Sequence, residues 1–278
     1  MMDNILIVAK KEFSNLMSSS FVVIFLAVFT FILFISLYHL HDMSTDKDMV
    51  FNYSLMGFLS SQLYVLAKYG SMVGIAIGFL VIYIEKQKGA INTLLVKPLY
   101  RDDIINGKLL GATVFILCVL LFSSVIYTAG LLLLFGNFLG PLVFDYLIRL
   151  PIVLFIALLF VLIFFSFSLL VSLVIKNDAF ALFFTILSWI LIIYVFPNVA
   201  FSSNLSLVLS GGYSISQYNL EALIVSISPI TTIIKIGAEC PDVLNVFSSN
   251  WSDLVILFLY LLITCILSYI VFIRRDVA

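Results

Sequence analysis

The chain of 278 residues is 63% hydrophobic and only 10% charged, and its formal net charge is −1. Soluble domains are about 45–50% apolar and about 25% charged, so this composition excludes an ordinary soluble protein. It also gives no support to nucleic-acid binding, which depends on a basic surface. Several apolar runs reach the roughly 20 residues that a helix needs to cross a bilayer. We therefore expect an all-α polytopic membrane protein.

The first element is predicted between Asp3 and Ser19. Apolar residues recur there at helical spacing, with lysines and short polar residues mostly on the opposite face. This pattern is typical of an amphipathic helix lying in the membrane interface, and a frayed, solvated N-terminus is the alternative. Lys11, Glu12 and Phe13 belong to this predicted helix.

Six membrane spans are predicted after this helix. They are residues 21–38, 63–84, 109–135, 147–175, 179–196 and 253–273. A longer outer segment, residues 198–249, separates the last two spans. Within it, the half-apolar stretch from 220 to 236 is interrupted by Pro229, which predicts a re-entrant or interfacial hairpin.

The orientation follows from the basic residues. With both termini in the cytoplasm, four of the 14 basic residues fall outside and the other ten fall inside. The four outer residues are Lys47, Lys68, Arg149 and Lys235. This bias satisfies the positive-inside rule, and the inverted topology would violate it.

The second span carries Gly70, Gly74 and Gly78 at every fourth position. Small residues at this spacing let two helices approach closely, and packing within the chain or a seam between two copies would both produce the pattern. Lys68 is predicted in the first turns of the span, where its side chain can extend toward the membrane surface; a substrate contact is the alternative. No charge falls in the middle of a predicted span, which argues against a proton-driven pump or a charge-lined channel.

The most distinctive segment is the polar loop of residues 85–108, between the second and third spans. It contains five basic and three acidic residues, and apolar residues recur through it near the helical period. A simple connection between two spans would need far fewer polar residues. We expect this loop to fold on the cytoplasmic side and to present a surface to a partner.

Motifs for catalysis are absent from the sequence. No GxxxxGK[ST] motif occurs, so the chain is not expected to bind ATP through a P-loop, and there is no GxSxG or HExxH motif. His39 and His41, followed by Asp42, form one weak candidate for a copper or zinc site. A solvated cap on the first span is the simpler interpretation, so we expect neither a resident metal nor enzymatic activity.

The order of residues in the loop resembles the ABC-2 class of ATP-binding-cassette transporter permeases. The resemblance is particularly to the branch containing the permease of the nitrous-oxide-reductase maturation transporter. The matching positions are Glu85, Gly89, Leu94, Leu95, Pro98, Arg101, Gly107 and Lys108. Three further elements resemble the family pattern: Lys11-Glu12-Phe13 before the first span, Ser228-Pro229 before the last span, and Arg274-Arg275-Asp276 at the end.

This resemblance implies a single ABC-2 type transmembrane domain over residues 1–278, located in the cell membrane as a permease subunit. Residues 85–108 would form a coupling helix that docks a separate cytoplasmic ATPase, which binds ATP and Mg²⁺. Leu94, Leu95 and Leu99 would be the apolar anchors of that contact. A second copy or a paralogous permease would complete the transporter, and export is the expected direction.

Two other classes of function are weighed against this one. A non-transporting membrane scaffold would use the same loop to dock a cytoplasmic partner. An intramembrane enzyme is disfavoured, because the predicted spans contain few polar or ionisable residues.

Overall fold

The computed structural model of the chain describes residues 2–45, 54–87, 101–210, 220–222, 225, 228–239 and 242–274. These residues are almost entirely helical, and no strand occurs among them. The helices are α1 (Met2–Met17), α2 (Ser20–Thr45), α3 (Leu55–Gln87), α4 (Arg101–Leu139), α5 (Val143–Val174), α6 (Asp178–Ile190), α7 (Val199–Ser210), α8 (Pro229–Glu239), α9 (Val246–Ser249) and α10 (Trp251–Arg274).

Five helical stretches in the described part of the chain are long and apolar enough to cross a membrane. They are Ser20–Asp42, Leu55–Ile84, Ile104–Val174, Asp178–Val195 and Trp251–Phe272. The third is 71 residues long, far more than the roughly 20 residues of one crossing. It consists of α4 and α5, joined by a single 3₁₀ turn at Gly140–Leu142.

Helix α3 lies at the centre of the fold. In its apolar stretch, 83% of the most hydrophobic window is buried within the chain, against 22% for α2, 22% for α6 and 17% for α10. The last three helices therefore leave most of their apolar side chains on the outside of the chain. Phe31, Phe183 and Phe258, one from each helix, are more than half exposed.

The three glycines of α3 face α5. A Cβ atom on Gly74 would lie 2.8 Å from the carbonyl oxygen of Val161, and one on Gly78 would collide with the carbonyl oxygen of Phe165. Their absent side chains let the two backbones touch, and Ser168 of α5 donates a hydrogen bond of 2.8 Å to the carbonyl of Ile75. In the structure, the glycine stripe thus packs within the chain.

Helix α3 begins at Leu55, whereas the second span was predicted to begin at residue 63. Ser54 caps the helix, because its hydroxyl accepts a hydrogen bond of 3.0 Å from the backbone N–H of Gly57. The polar groups of the added turns have partners in the neighbouring helices. Gln62 accepts a hydrogen bond from the hydroxyl of Tyr146 on α5, and the hydroxyls of Ser61 and Tyr127 on α4 lie 3.0 Å apart.

This earlier start changes the position of Lys68, which lies near the middle of the 30-residue stretch Leu55–Ile84. The expectation that Lys68 belongs to the first turns of its helix is therefore wrong, because α3 begins 13 residues before it. The error follows from the extra helical turns, whose polar side chains are hidden inside the protein.

The interrupted apolar stretch of the outer segment contains α8, which packs against α3. Its first residue is Pro229, at a position where a missing N–H costs no helical hydrogen bond. Ile230, Ile233 and Ile236 are at most 1% exposed, so one face of the helix is buried against the protein, while Ile234 and Lys235 on the other face are exposed. Before it, the hydroxyl of Ser228 donates to the carbonyl of Ile192, in a turn of π-helix (Leu191–Val195) that follows α6.

An ion pair connects the outer segment to α5. Arg149 donates to both carboxylate oxygens of Asp242, with Nε–Oδ1 and Nη2–Oδ2 distances of 2.9 Å each. These charge-assisted hydrogen bonds hold the pKa of Asp242 below its ordinary value. The segment that follows α8 is thereby fixed to the N-terminal end of α5.

The glycine stripe provides a direct test of the contact between α3 and α5. We expect Gly78→Ala to destabilise the protein by about 1–3 kcal/mol, because the added methyl group meets backbone atoms that cannot move alone. Thermal unfolding of the purified protein in detergent measures the effect. Gly136→Ala is the matched control, since among the described residues no atom beyond its own stretch of helix lies within 4 Å of the added Cβ there. Equal melting temperatures for the two variants would contradict the close contact.

Candidate functional site

Helix α1 packs on the first turns of α4, and Lys108 of α4 contacts α3 at the same place, which we call the α1 junction. It comprises Glu12 of α1, Val81 of α3, and Gly107, Lys108 and Gly111 of α4. These residues come from three separate parts of the chain. The junction therefore joins α1 to the helices on either side of residues 88–100.

Two glycines bring the backbones of α1 and α4 into contact. A Cβ atom on Gly107 would lie 2.6 Å from Cβ of Val8, and one on Gly111 would lie 2.5 Å from the carbonyl oxygen of Ala9. Real Cβ atoms do not approach so closely, so larger residues at either position would push α1 away. Gly107 and Gly111 are one helical turn apart and form a flat strip under α1.

A buried ion pair lies at the centre of the junction. The ammonium of Lys108 donates to Oε2 of Glu12 at 3.0 Å, and their side chains are only 3% and 8% exposed. The same ammonium donates to the carbonyl oxygen of Val81 at 3.4 Å. Lys108 thus connects α4 to both α1 and α3.

Apolar side chains surround this pair. Leu16 and Ala112 are fully buried, and the rings of Phe13 and Phe115 meet edge to face with centroids 5.7 Å apart. In such surroundings a charge without its partner is costly, so the two charged groups depend on each other. The arrangement has no catalytic geometry; it fixes the relative positions of three helices.

The sequence model of the family described as ABC-2 family transporter protein matches residues 6–277. The chain belongs to the ABC-2 transporter family. A search of curated proteins gave no match.

Membership of the ABC-2 family has direct consequences. The protein is a multi-pass membrane permease of an ABC transporter, a transport subunit that is not itself catalytic. The family also implies an ATPase partner. The match concerns the family as a whole, so the likeness to the nitrous-oxide-reductase maturation branch stays a prediction.

The predicted docking residues of this ABC-2 permease fall into three groups. Gly89, Leu94, Leu95, Pro98 and Leu99 lie outside the described residues. Glu85 and Arg101 are in the last turns of α3 and the first turn of α4, and their side chains are not described. Gly107 and Lys108 are inside the protein, where Lys108 is 2% exposed, so neither presents a surface for direct contact with an ATPase.

The three predicted residues of the interfacial helix differ in their surroundings. Lys11 is exposed, Phe13 is half-buried against α4, and Glu12 is buried in the ion pair. The sequence analysis did not predict the pairing of Glu12 with Lys108. A signal was present, since Glu12 shares the helical face of Ala9 and Leu16 and is an acidic residue on an apolar face.

The weak metal candidate has no additional ligand in the described part of the chain, where no group of three His, Cys, Asp or Glu residues could hold an ion. The ring of His41 packs edge to face against Phe135, with centroids 6.0 Å apart. This places the histidine at the end of α2 against α4.

Removing one charge of the junction should be far more damaging than removing both. We expect Lys108→Met to destabilise the permease by about 3–5 kcal/mol, because it leaves the Glu12 carboxylate buried alone. The double variant Glu12→Leu/Lys108→Met should recover most of this loss. Thermal unfolding in detergent compares the variants, with Lys11→Met as an exposed control that stays close to the native value. A double variant as unstable as the single one would contradict the pairing.

Proposed function

We propose that this ABC-2 permease couples ATP hydrolysis by a separate cytoplasmic ATPase to transport, in the direction of export. The chain would cross the membrane six times, with α4 and α5 as separate spans and both termini in the cytoplasm. A second copy or a paralogous permease would complete the pathway. The observation that carries the proposal is the α1 junction, which fixes three helices to one another beside the loop of residues 88–100.

The proposed transmission begins at that loop. Leu94, Leu95 and Leu99 would sit in a groove of the ATPase, and the surrounding charges would fix the register of the contact. When two ATPase subunits close, the loop would move with them. Its two ends continue into α3 and α4, so the movement would reach both helices at once.

The junction supports the next step. Because Lys108 contacts Glu12 of α1 and Val81 of α3, the three helices would move together rather than slide past one another. The backbone contact of α3 with α5 would then carry the movement across the membrane. Packed helices of this kind change position as rigid bodies, which suits an alternating-access mechanism.

Six spans also fit the positions of charge. The five apolar stretches include one that holds both α4 and α5, and dividing it returns the chain to its starting side. Arg149 and Asp242 would then lie at the outer ends of their segments, and the loop of residues 88–100 would lie inside. This orientation keeps most basic residues in the cytoplasm.

The docking contact can be tested by co-purification. We expect an ATPase to co-purify with the tagged native permease from mild detergent and to be lost from the double variant Leu94→Asp/Leu95→Asp. The physical reason is that two charges would replace the apolar anchors of the contact. ATP hydrolysis by the eluted complex provides the measurement.

Leu244→Asp is the matched control, since Leu244 is 42% exposed on the outer segment and would face away from the ATPase. It should retain the ATPase. If no nucleotide-hydrolysing partner is recovered even after cross-linking, the transport proposal loses its energy source, and a scaffold that docks another cytoplasmic protein becomes the better explanation.

A further inference from the structure

An apolar groove with a lysine near one end lies between α2, α3 and α6. We infer that it binds a single-chain anionic amphiphile, an acyl chain ending in a carboxylate or phosphate, with Lys68 as the partner of the anionic group. The inference rests on the proposed transport function and names the class of substrate. Three observations carry it: the lining of the groove, the surroundings of Lys68, and the contacts that join them.

The groove has a volume of about 260 Å³. Met72, Ala76 and Phe79 of α3 form its floor, and Phe21 and Phe25 of α2 form one wall. Every side chain in this part of the lining is apolar. A volume slightly below the roughly 300–1,000 Å³ of ordinary ligand pockets suits one hydrocarbon chain better than a bulky molecule.

The opposite wall comes from α6, through Leu182, Ile186 and Trp189. The indole N–H of Trp189 donates to the hydroxyl of Ser71 at 2.7 Å, which holds the ring against α3. With its N–H satisfied on that side, Trp189 can present its apolar ring to the groove. Both walls therefore favour hydrocarbon over polar groups.

Lys68 is a half-buried cation held by aromatic rings. Its ammonium lies 4.5 Å from the ring centroid of Tyr194, 5.1 Å from that of Tyr64 and 5.5 Å from that of Tyr69. It also donates a hydrogen bond of 3.0 Å to the hydroxyl of Tyr64. Among the residues that the structure describes, no carboxylate lies within ion-pair distance of it.

Burying a cation within a membrane helix costs free energy, and cations found there commonly have a function. The tyrosine rings stabilise the ammonium by cation–π contacts, but they do not neutralise it. Its charge thus remains available to an anionic group. This is the charge complementarity that distinguishes an anionic amphiphile from a neutral lipid or a second apolar helix.

The cation and the groove are adjacent. Lys68 is one helical turn from Met72 of the groove floor, and such residues lie on the same face of a helix. Across from them, the ring of Tyr194 meets that of Trp189 edge to face at 5.5 Å. Lys68 does not line the groove itself; its ammonium points toward Tyr64 and is joined to the far wall through the ring of Tyr194. An acyl chain that fills the groove and extends past Trp189 would place its anionic end at the lysine.

In the proposed orientation, the groove runs from Lys68 toward the cytoplasmic end of α3. The anionic group would then lie closer to the outer side of the membrane than the acyl chain does. That order fits outward passage of an amphiphile that enters from the cytoplasmic side.

Fluorescence quenching tests this site without the ATPase. The chain has two tryptophans, so Trp251→Phe leaves Trp189 as the only reporter. The full chain in nanodiscs of zwitterionic lipid would be titrated with 9,10-dibromostearate, whose bromines quench indole on contact. We expect saturable quenching by the acid, and about tenfold weaker binding of its uncharged methyl ester.

Variants assign the two parts of the site. Lys68→Gln should weaken binding of the acid to the level of the ester, and Lys68→Arg should retain it. Ala76→Phe fills the groove and should abolish saturable quenching by both ligands. Lys235→Gln, which removes an exposed lysine of α8, is the matched control and should bind as the native protein does.

Competition identifies the anionic group. Displacement of the brominated acid by stearate or by octadecyl phosphate, with no displacement by inorganic phosphate, supports a site for chain and charge together. The more effective competitor identifies the anionic group, a carboxylate for stearate or a phosphate for octadecyl phosphate. If neither compound displaces the brominated acid, the inference is overturned.

Quenching that rises linearly, equally for acid and ester, would show membrane partitioning only and would overturn the site. If Lys68→Gln does not fold, the contrast between acid and ester on the native lysine decides the question. Saturable binding in a chain that recruits no ATPase would retain the site and reject transport. Recruitment of an ATPase without saturable binding of the acid would retain the transport proposal and reject the site.

Discussion

The structure depends on the direct contact between the backbones of α3 and α5. Gly74 and Gly78 remove the side chains that would hold the helices apart, so carbonyl groups of α5 lie against α3 itself. In a membrane, where lipid competes for apolar side chains, such close packing supplies much of the attraction between helices. The remaining helices are arranged around this pair. Helices α2, α6 and α10 surround it and keep apolar faces outward, and α8 fills the space beside the first turns of α3.

Charged groups have a different role from apolar packing in this ABC-2 permease. Glu12 and Lys108 are buried together, and their pairing fixes the position of α1 against α3 and α4. The cost of removing both charges from water offsets much of the stability that the pairing provides. Arg149 and Asp242 act similarly at the opposite end, where they fix the chain after α8 to α5. Each end of the bundle thus has an ion pair that joins parts of the chain distant in sequence. Lys68 differs from both, because aromatic rings rather than a carboxylate surround it.

Hydropathy and helical periodicity predicted the class of fold, the helix preceding the first span and the locations of the apolar stretches. They could not identify the partner of the glycine stripe, since the same spacing serves packing within a chain and between chains. The earlier start of α3 was also hidden, because Gln62 and Ser61 look like solvated residues until Tyr146 and Tyr127 are known to be beside them.

The same limit applies to the candidate site. Lys108 and Glu12 are 96 positions apart, and no local pattern in one sequence joins them. The family pattern did draw attention to both residues, but as members of separate elements. Their common location became visible only with the packing of α1 on Gly107 and Gly111. Residues that determine long-range geometry are thus the least accessible to analysis of local sequence.

The π-turn after α6 has a consequence for the aromatic residues on either side of it. In a regular α-helix, residues five positions apart point about 140° away from each other. Trp189 and Tyr194 are separated by five positions, yet their rings touch. The wider turn between them brings both rings to the same side of the chain, one beside the groove and the other over Lys68. The π-turn that follows α6 therefore places one of the three aromatic rings around a lysine of another helix, without bringing a second charge to it.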